Sequence, residues 1–404
     1  MTIPYVVQKG DTYLRICLRY GIHIHALLAC NTQISSDDYA VPGQVIYIPQ
    51  RQANIYVVQP CDTFYAIALR FHVPAQVLAN ANPTIDPRSL VVGQSLTIPY
   101  VFNDDDVKKK AEYGYMQLIR DVERLKQCCP IVRTETIGYS VLGKPIVAIA
   151  LGNGPIAIHA NGAVHANEWV TSALLMKFAE DYAQAYEGGS SHQQWNVQDS
   201  FARTTLWIVP MANPDGVELA QEGITPQHPY YKQLNVWNGG SRRFQRWKAN
   251  VNGVDLNDQF PAHWEEEQAR RGRTGPGPLN FGGQRPLSEP EAIALASFTD
   301  RIPFALALSF HTQGQEIYWN YRDYEPAESE RWAERFQLAS GYRAVKLSGS
   351  DAGYKDWFIQ QYRKPGFTIE VGNGISPLPL MDFDSMYREV SAILIEAISG
   401  TGVG

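Results

Sequence analysis

Between about residue 130 and residue 400 the chain alternates short apolar runs with stretches whose apolar side chains recur every three to four positions. The runs Ile131–Ala150, Ile156–Ala160, Thr205–Met211, Phe304–Phe310, Val345–Leu347 and Gly366–Val371 read as strands. Val170, Leu174, Leu175, Phe178 and Tyr182 keep helical spacing after one of them, and Tyr113, Met116, Ile119, Val122 and Leu125 give an amphipathic helix over Lys108–Gln127. Strands interleaved with helices predict an α/β sandwich around a mixed central sheet. The charged stretch His263–Gly272 and the Gly/Pro-rich stretch Pro276–Gly283 fit neither period, and both are expected to be solvated faces without chemistry.

The first hundred residues follow a different pattern and repeat themselves. Tyr5-Val-Val-Gln8 recurs as Tyr56-Val-Val-Gln59 and Asp11-Thr12 as Asp62-Thr63, an offset of 51 residues, while Gly43-Gln44 recurs as Gly93-Gln94 at an offset of 50. Each copy reads strand, helix, helix, strand. The first has helices over Thr12–Tyr20 and Ile24–Asn31 and a closing strand Val45–Ile48; the second has helices over Thr63–Phe71 and Ala75–Asn82 and a closing strand Leu96–Ile98. Asp11 and Asp62, or the threonines beside them, are placed to cap the first helices. The expected organisation is two small α+β domains, 1–50 and 51–100, an acidic linker 101–106, and one larger domain 107–404.

Candidate chemistry sits where the strand-like runs end. His165-Ala-Asn-Glu168 follows the run at 156–160, His311 ends the run Ala305–Phe310, and Glu370 ends Gly366–Ile369. Open α/β sheets place ligands at such ends. An acid closing a buried strand costs free energy unless it is paired or used. Zinc accepts histidine and glutamate, and a catalytic site takes three protein ligands with one position left for water.

Composition narrows the field. The net charge of −6 over 404 residues argues against general nucleic-acid binding. Five cysteines, Cys17, Cys30, Cys61, Cys128 and Cys129, are too few and odd in number for a disulfide framework, and none has metal-ligand spacing. No apolar run is long enough for a membrane span, and the segment Met1–Gln8 lacks the basic start and apolar core of a secretory signal.

The motifs from residue ~107 onward resemble the zinc metallocarboxypeptidases, the funnelins. His165-x-x-Glu168, Asn213-Pro-Asp-Gly216, Gly253-Val-Asp-Leu-Asn257, His311 and Thr368-Ile-Glu370 stand in the family's order. The resemblance implies one zinc held by His165, Glu168 and His311, with Glu370 as the general base and Asp255 as the acid that orients the first zinc histidine. The two repeats are similar to lysin motifs (LysM), on their opening Tyr-Val-Val-Gln, Asp-Thr, central Asn and closing Gly-Gln-x-Ile/Leu-x-Ile-Pro. That implies binding to N-acetylglucosamine glycan. The second copy departs at Cys61, which replaces the glycine at position 10 of the first.

Departures from the carboxypeptidase pattern bear on substrate. The family's Asn-Arg pair, which clamps a C-terminal carboxylate, is Asn257-Asp258 here, and its transition-state arginine aligns with Lys248, which can stabilise an oxyanion. Counting back from Glu370 sets Lys355, before Asp356-Trp357, in the pocket beyond the scissile bond, and Ser348 where the carboxypeptidases have a mobile tyrosine. An acid at 258 and a cation at 355 together suit meso-diaminopimelate. Lysin motifs joined to such a domain resemble the bacterial γ-D-glutamyl-L-diamino acid endopeptidases, which implies peptidoglycan as substrate and partner and a wall-associated, secreted or spore-associated location. Two other readings stay open: a carboxypeptidase with relocated carboxylate recognition, and a wall-binding protein that does not cut.

Overall fold

The computed structural model describes residues 2–20, 22, 24–34, 39–49, 54–60, 62–70, 78–79, 82–87, 89–98, 112–188 and 195–400. The expected linker 101–106, Cys61 and most of the expected helix Ala75–Asn82 lie outside them. The chain divides into two compact units, Met1–Ala111 and Glu112–Gly404.

The first unit contains two copies of one small motif. In the first, β1 (Thr2–Val6) pairs antiparallel with β2 (Val45–Pro49), with helices Tyr13–Tyr20 and Ile24–Ala29 between them in sequence. In the second, β3 (Asn54–Val57) pairs with β4 (Ser95–Ile98), and the helix Phe64–Arg70 follows β3. Each copy has its own apolar core, Val7, Ile16, Leu27, Ile46 and Ile48 in one and Val58, Ile67, Leu78, Leu96 and Ile98 in the other.

The repeated polar residues turn out to be the stitching. Buried Asn31 donates to Leu27 O (2.8 Å) and Tyr47 O (2.7 Å) and accepts from Tyr47 N (2.7 Å), tying the second helix to the closing strand. Asn82 repeats this on Leu78 O and on the backbone of Thr97, each at 2.8 Å. A buried amide satisfied on both sides fixes register at little cost. The threonines cap the first helices, Thr12 Oγ1 accepting from Arg15 N and Thr63 Oγ1 from Ala66 N, both at 3.1 Å. The aspartates instead hold the preceding turn: Asp62 accepts from Tyr56 Oη (2.6 Å) and Gln59 N (2.8 Å), and Asp11 likewise from Tyr5 and Gln8.

The second unit is built on an eight-stranded mixed sheet in the order β11-β10-β12-β9-β7-β8-β6-β5. Its strands are β5 (Arg133–Tyr139), β6 (Pro145–Leu151), β7 (Ile156–Gly162), β8 (Thr204–Val209), β9 (Leu306–His311), β10 (Glu316–Tyr318), β11 (Arg343–Val345) and β12 (Gly366–Glu370). The long run at 131–150 folds as the hairpin β5–β6, and β10, only three residues long, carries too little pattern to be read from sequence. Helices Val170–Glu187 and Phe383–Gly400 pack over β6, β7 and β8, and helices Pro290–Arg301 and Tyr354–Tyr362 over β5, β9 and β12. β7 is buried at nearly every position because both faces of the sheet are covered. The first helix of this unit is Tyr115–Cys128, and it buries Tyr115, Leu118, Val122 and Leu125. Met116, expected on that face, is 55% exposed. Among the described residues no helix is long and apolar enough to cross a membrane.

What matters for chemistry is the centre of the sheet. β12, β9 and β7 are adjacent and parallel, so their carboxyl ends emerge on one edge. Glu370 pairs in register with His311, and Gly162, three residues before His165, pairs with Phe310.

Candidate metal centre and active site

The turn that carries His165 is locked from both sides. A side chain at Gly162 would meet Leu175, Thr171 Oγ1 and the Pro210 carbonyl, so only glycine lets β7 approach the following helix. Ala163 N donates to Thr171 Oγ1 (2.8 Å), whose hydroxyl donates to Glu168 O (2.8 Å). Asn213 caps the helix Pro214–Glu222 by accepting from Gly216 N (3.0 Å), and its amide donates to Val164 O (3.1 Å) and Ala249 O (3.2 Å). Asp215 accepts from Leu142 N and Lys144 Nζ, both at 2.7 Å. The Asn-Pro-Asp-Gly motif is thus a clamp that fixes the His165 turn to the segment bearing Lys248 and to the β5–β6 hairpin.

His165, Glu168 and His311 meet at one point. His165 Nδ1 lies 3.0 Å from Glu168 Oε1 and 3.2 Å from His311 Nδ1, and His311 Nδ1 lies 3.0 Å from Glu168 Oε2. The opposite nitrogen of each ring is committed elsewhere. His165 Nε2 donates to Asp255 Oδ1 (3.1 Å), and Asp255 is itself held by Asn257 N (3.2 Å) and Asn280 N (3.0 Å). Ser309 Oγ donates to Asn161 Oδ1 (2.8 Å) and so is left to accept from His311 Nε2 (3.2 Å). Both Nδ1 lone pairs and both carboxylate oxygens therefore face one another, an arrangement that requires a proton or a cation among them.

The donor set fits zinc. Bonds of about 2.0–2.1 Å in a tetrahedron set donor atoms roughly 3.3 Å apart, close to the separations found. The electrostatics agree: burial opposes a charge on His165, but Glu168, with help from Asp255, outweighs it and raises its pKa to about 10. Burial likewise opposes the Glu168 carboxylate, yet its two histidines and Lys248 hold it well below the ordinary range.

The other expected residues divide into two groups. Glu370 stands beside the cluster, and burial, reinforced by the charge of Glu168, pushes its pKa up to about 8. Lys248 donates to Glu168 Oε1 (3.2 Å) and remains 34% exposed. Asn257, Asp258 and Lys355 line up less simply. Asn257 Oδ1 accepts from Tyr354 N (3.3 Å). Lys355 is buried, donates to Asn320 O (2.7 Å) and lies 2.6 Å from Asp356 Oδ1. Asp258 is buried too, with an arginine partner: Arg271 Nη2 donates to its Oδ1 (3.1 Å) and Nε lies 3.1 Å from its Oδ2. Ser348 is exposed after β11.

Two stretches expected to be bare solvated faces are not. Residues 264–271 form a helix whose Glu267 turns inward, because Arg270, Arg271 and the backbone N of Asp351 all converge on it. The loop 276–283 buries Phe281 and delivers Asn280 N to Asp255, while its Pro278 carbonyl accepts from Lys248 N (2.8 Å). Sequence reasoning also missed Ser309 and Asn161. The available signal was the two-residue spacing of Ser309 and His311 on one strand, which puts both side chains on the same face.

This fold and site define a zinc peptidase, and comparison with known proteins bears it out. The chain belongs to the zinc carboxypeptidase family, Peptidase_M14, whose pattern matches residues 118–375, and it carries two LysM domains matched at 5–49 and 56–99. It is 39% identical over 392 residues to gamma-D-glutamyl-L-diamino acid endopeptidase 1 of Lysinibacillus sphaericus, covering 85% of this chain and 99% of that one. It is 37% identical over 300 residues to the uncharacterized protein YqgT of Bacillus subtilis, covering 73% and 80%. The fold matches the crystal structure of thrombin activatable fibrinolysis inhibitor with a TM-score of 0.57 at 18% identity, over 86% of this chain and 94% of that one.

Proposed function

We propose that this protein hydrolyses the γ-D-glutamyl bond to a diamino acid, meso-diaminopimelate, in peptidoglycan stem peptides, and that its LysM domains hold it on the glycan. The observation that carries the reading is the convergence of His165 Nδ1, the Glu168 carboxylate and His311 Nδ1 at the ends of parallel strands, in a chain 39% identical to an enzyme named for that bond. His165, Glu168 and His311 would hold one zinc, which would supply Lewis-acid activation of water and of the scissile carbonyl.

The protein's own residues do the rest. Glu370 takes the proton of the attacking water and returns it to the leaving amine; a carboxylate raised by burial is a stronger base for that purpose. Lys248, partly exposed beside Glu168, donates to the oxygen on which negative charge develops. Asp255 keeps the His165 ring in one tautomer and orientation, as Ser309 does for His311. Asn257, Asp258 and Lys355 border the side that receives the diamino acid. Wall association follows from the glycan role of the first unit.

Removal of a C-terminal residue is the second reading, favoured by Arg271 standing against Asp258 near where the family keeps its carboxylate-binding arginine. Chelation tests the metal-dependent core of both readings. Stripping metal should abolish hydrolysis of L-Ala-γ-D-Glu-meso-diaminopimelate, and one equivalent of zinc per chain should restore it. Full activity after verified metal removal would refute the zinc site.

A further inference from the structure

Asp258 begins as a puzzle of charge. It follows Asp255 and Asn257 in a short turn, its side chain is only 2% exposed, and burial raises its pKa to about 7. Yet it is not unaccompanied. Arg271, the last residue of the helix Trp264–Arg271, lays its Nε–Nη2 edge along that carboxylate, with Nη2 donating at 3.1 Å and Nε 3.1 Å from the second oxygen. Nε is also 2.7 Å from Glu267 Oε1, whose side chain is 1% exposed. The Arg271 side chain is 35% exposed, and among the described residues its Nη1 makes no hydrogen bond.

The geometry is that of a mounted cation. Two buried acids pair with one side of a planar fork, which stays partly exposed with N–H donors to spare. Asp258 N donates to the carbonyl of Asp255 (3.1 Å), the residue that holds His165, so the fork is mounted on the turn that supports the metal centre. The family places a carboxylate-clamping arginine at the position of Asp258; here the acid at that position carries an arginine from another element.

We propose that Arg271 is the specificity residue that reads a carboxylate of the diamino acid, and that Asp258 and Glu267 are positioning residues that hold its fork. This rests on the functional reading above and deepens it: the polar end of the substrate is met by a guanidinium as well as by acids. A planar fork accepts a carboxylate with two parallel hydrogen bonds, which an ammonium or a carboxamide cannot reproduce.

The test uses the full-length zinc-loaded enzyme and two substrates, L-Ala-γ-D-Glu-meso-diaminopimelate and the same tripeptide with the diaminopimelate carboxyls converted to carboxamides. The parent should favour the carboxylate form about ten- to a hundred-fold in kcat/KM, the worth of one charged, bidentate contact. Arg271→Gln should erase most of that preference through KM, with kcat and the amide substrate changed less than about threefold. Arg271→Lys, which keeps the charge and spares the buried acids an unpaired state, should fall between. Asp258→Asn should weaken the preference by lowering kcat/KM for the carboxylate substrate more than for the carboxamide one, since it loosens the mount. Equal losses on both substrates in Arg271→Gln and Arg271→Lys would assign Arg271 a structural role and overturn the proposal while the functional reading stood. Cleavage of neither substrate by the parent would overturn both.

Discussion

Glu370 and His311 stand directly opposite one another in the register of the parallel strands β12 and β9. Adjacent parallel strands keep register along their length, so a carboxylate closing one and an imidazole closing the other are held at a fixed separation with no loop between them. A base and a metal ligand fixed in this way can be separated by mutation. Glu370→Gln keeps the shape of the side chain and removes the base, so zinc content and substrate KM should stay near the parent values while kcat falls about 10²- to 10⁴-fold. Metal analysis with steady-state kinetics reads both; a near-normal kcat would place the base elsewhere.

The Asp255–His165 bond should set metal affinity. Removing an acid that orients a ligand imidazole weakens metal binding about ten- to a hundred-fold. Asp255→Ala should therefore release zinc to a competing chelator at correspondingly lower chelator concentration than the parent does. His165→Ala should lose the metal outright, and full occupancy in that variant would remove His165 from the site.

Targeting and chemistry should separate along the chain. Each LysM copy has its own core, and every candidate for the metal site lies in the unit Glu112–Gly404. Deleting residues 1–111 should leave hydrolysis of soluble stem peptides within about twofold, while reducing sedimentation with insoluble peptidoglycan. Equal sedimentation of the two proteins would rule out the glycan-binding role of the repeats.

Glu291 gives a pH-dependent stability term away from the metal. It is buried in the helix Pro290–Arg301, accepts from Val141 N and Asn250 Nδ2 (both 3.1 Å), and burial raises its pKa from 4.5 to about 7. The folded state thus holds this proton more tightly than the unfolded one. The neutral form's stabilisation is complete below pH 4.5 and is lost as pH rises to about 7, a change of about 3 kcal/mol. In Glu291→Gln this loss should vanish, so the stability of the variant relative to the parent, measured by denaturant unfolding at pH 5 and at pH 8, should be more favourable at pH 8. An unchanged difference would mean Glu291 titrates normally.

The parts of this protein that could be read in sequence are those where one residue type answers to one physical demand. His165, Glu168 and His311 were legible because ligands must sit at strand ends, and the repeat was legible because Asn31 and Asn82 each solve the same stitching problem. In the first helix Val122 and Leu125 are buried as expected, whereas Met116 points out and Leu118 takes its place inward; the two differ little in apolarity, and only the packed surface decides between them. Arg271 was invisible because its partner Asp258 is 13 residues away in a segment of mixed charge, and nothing in local spacing distinguishes a mounted guanidinium from a solvated one. The same holds for Asn280, whose backbone N supports Asp255 from a Gly/Pro-rich loop that reads in sequence as a solvated face.

The most direct test is the bond itself. Zinc-loaded enzyme should be incubated with a defined muropeptide carrying L-Ala-γ-D-Glu-meso-diaminopimelyl-D-Ala, and the products resolved by mass spectrometry. Hydrolysis between D-glutamate and diaminopimelate, giving a fragment that ends in D-glutamate and a diaminopimelyl-D-Ala dipeptide with a new free amine, is the predicted result. Release of D-Ala alone, or an untouched stem with zinc bound, would contradict it.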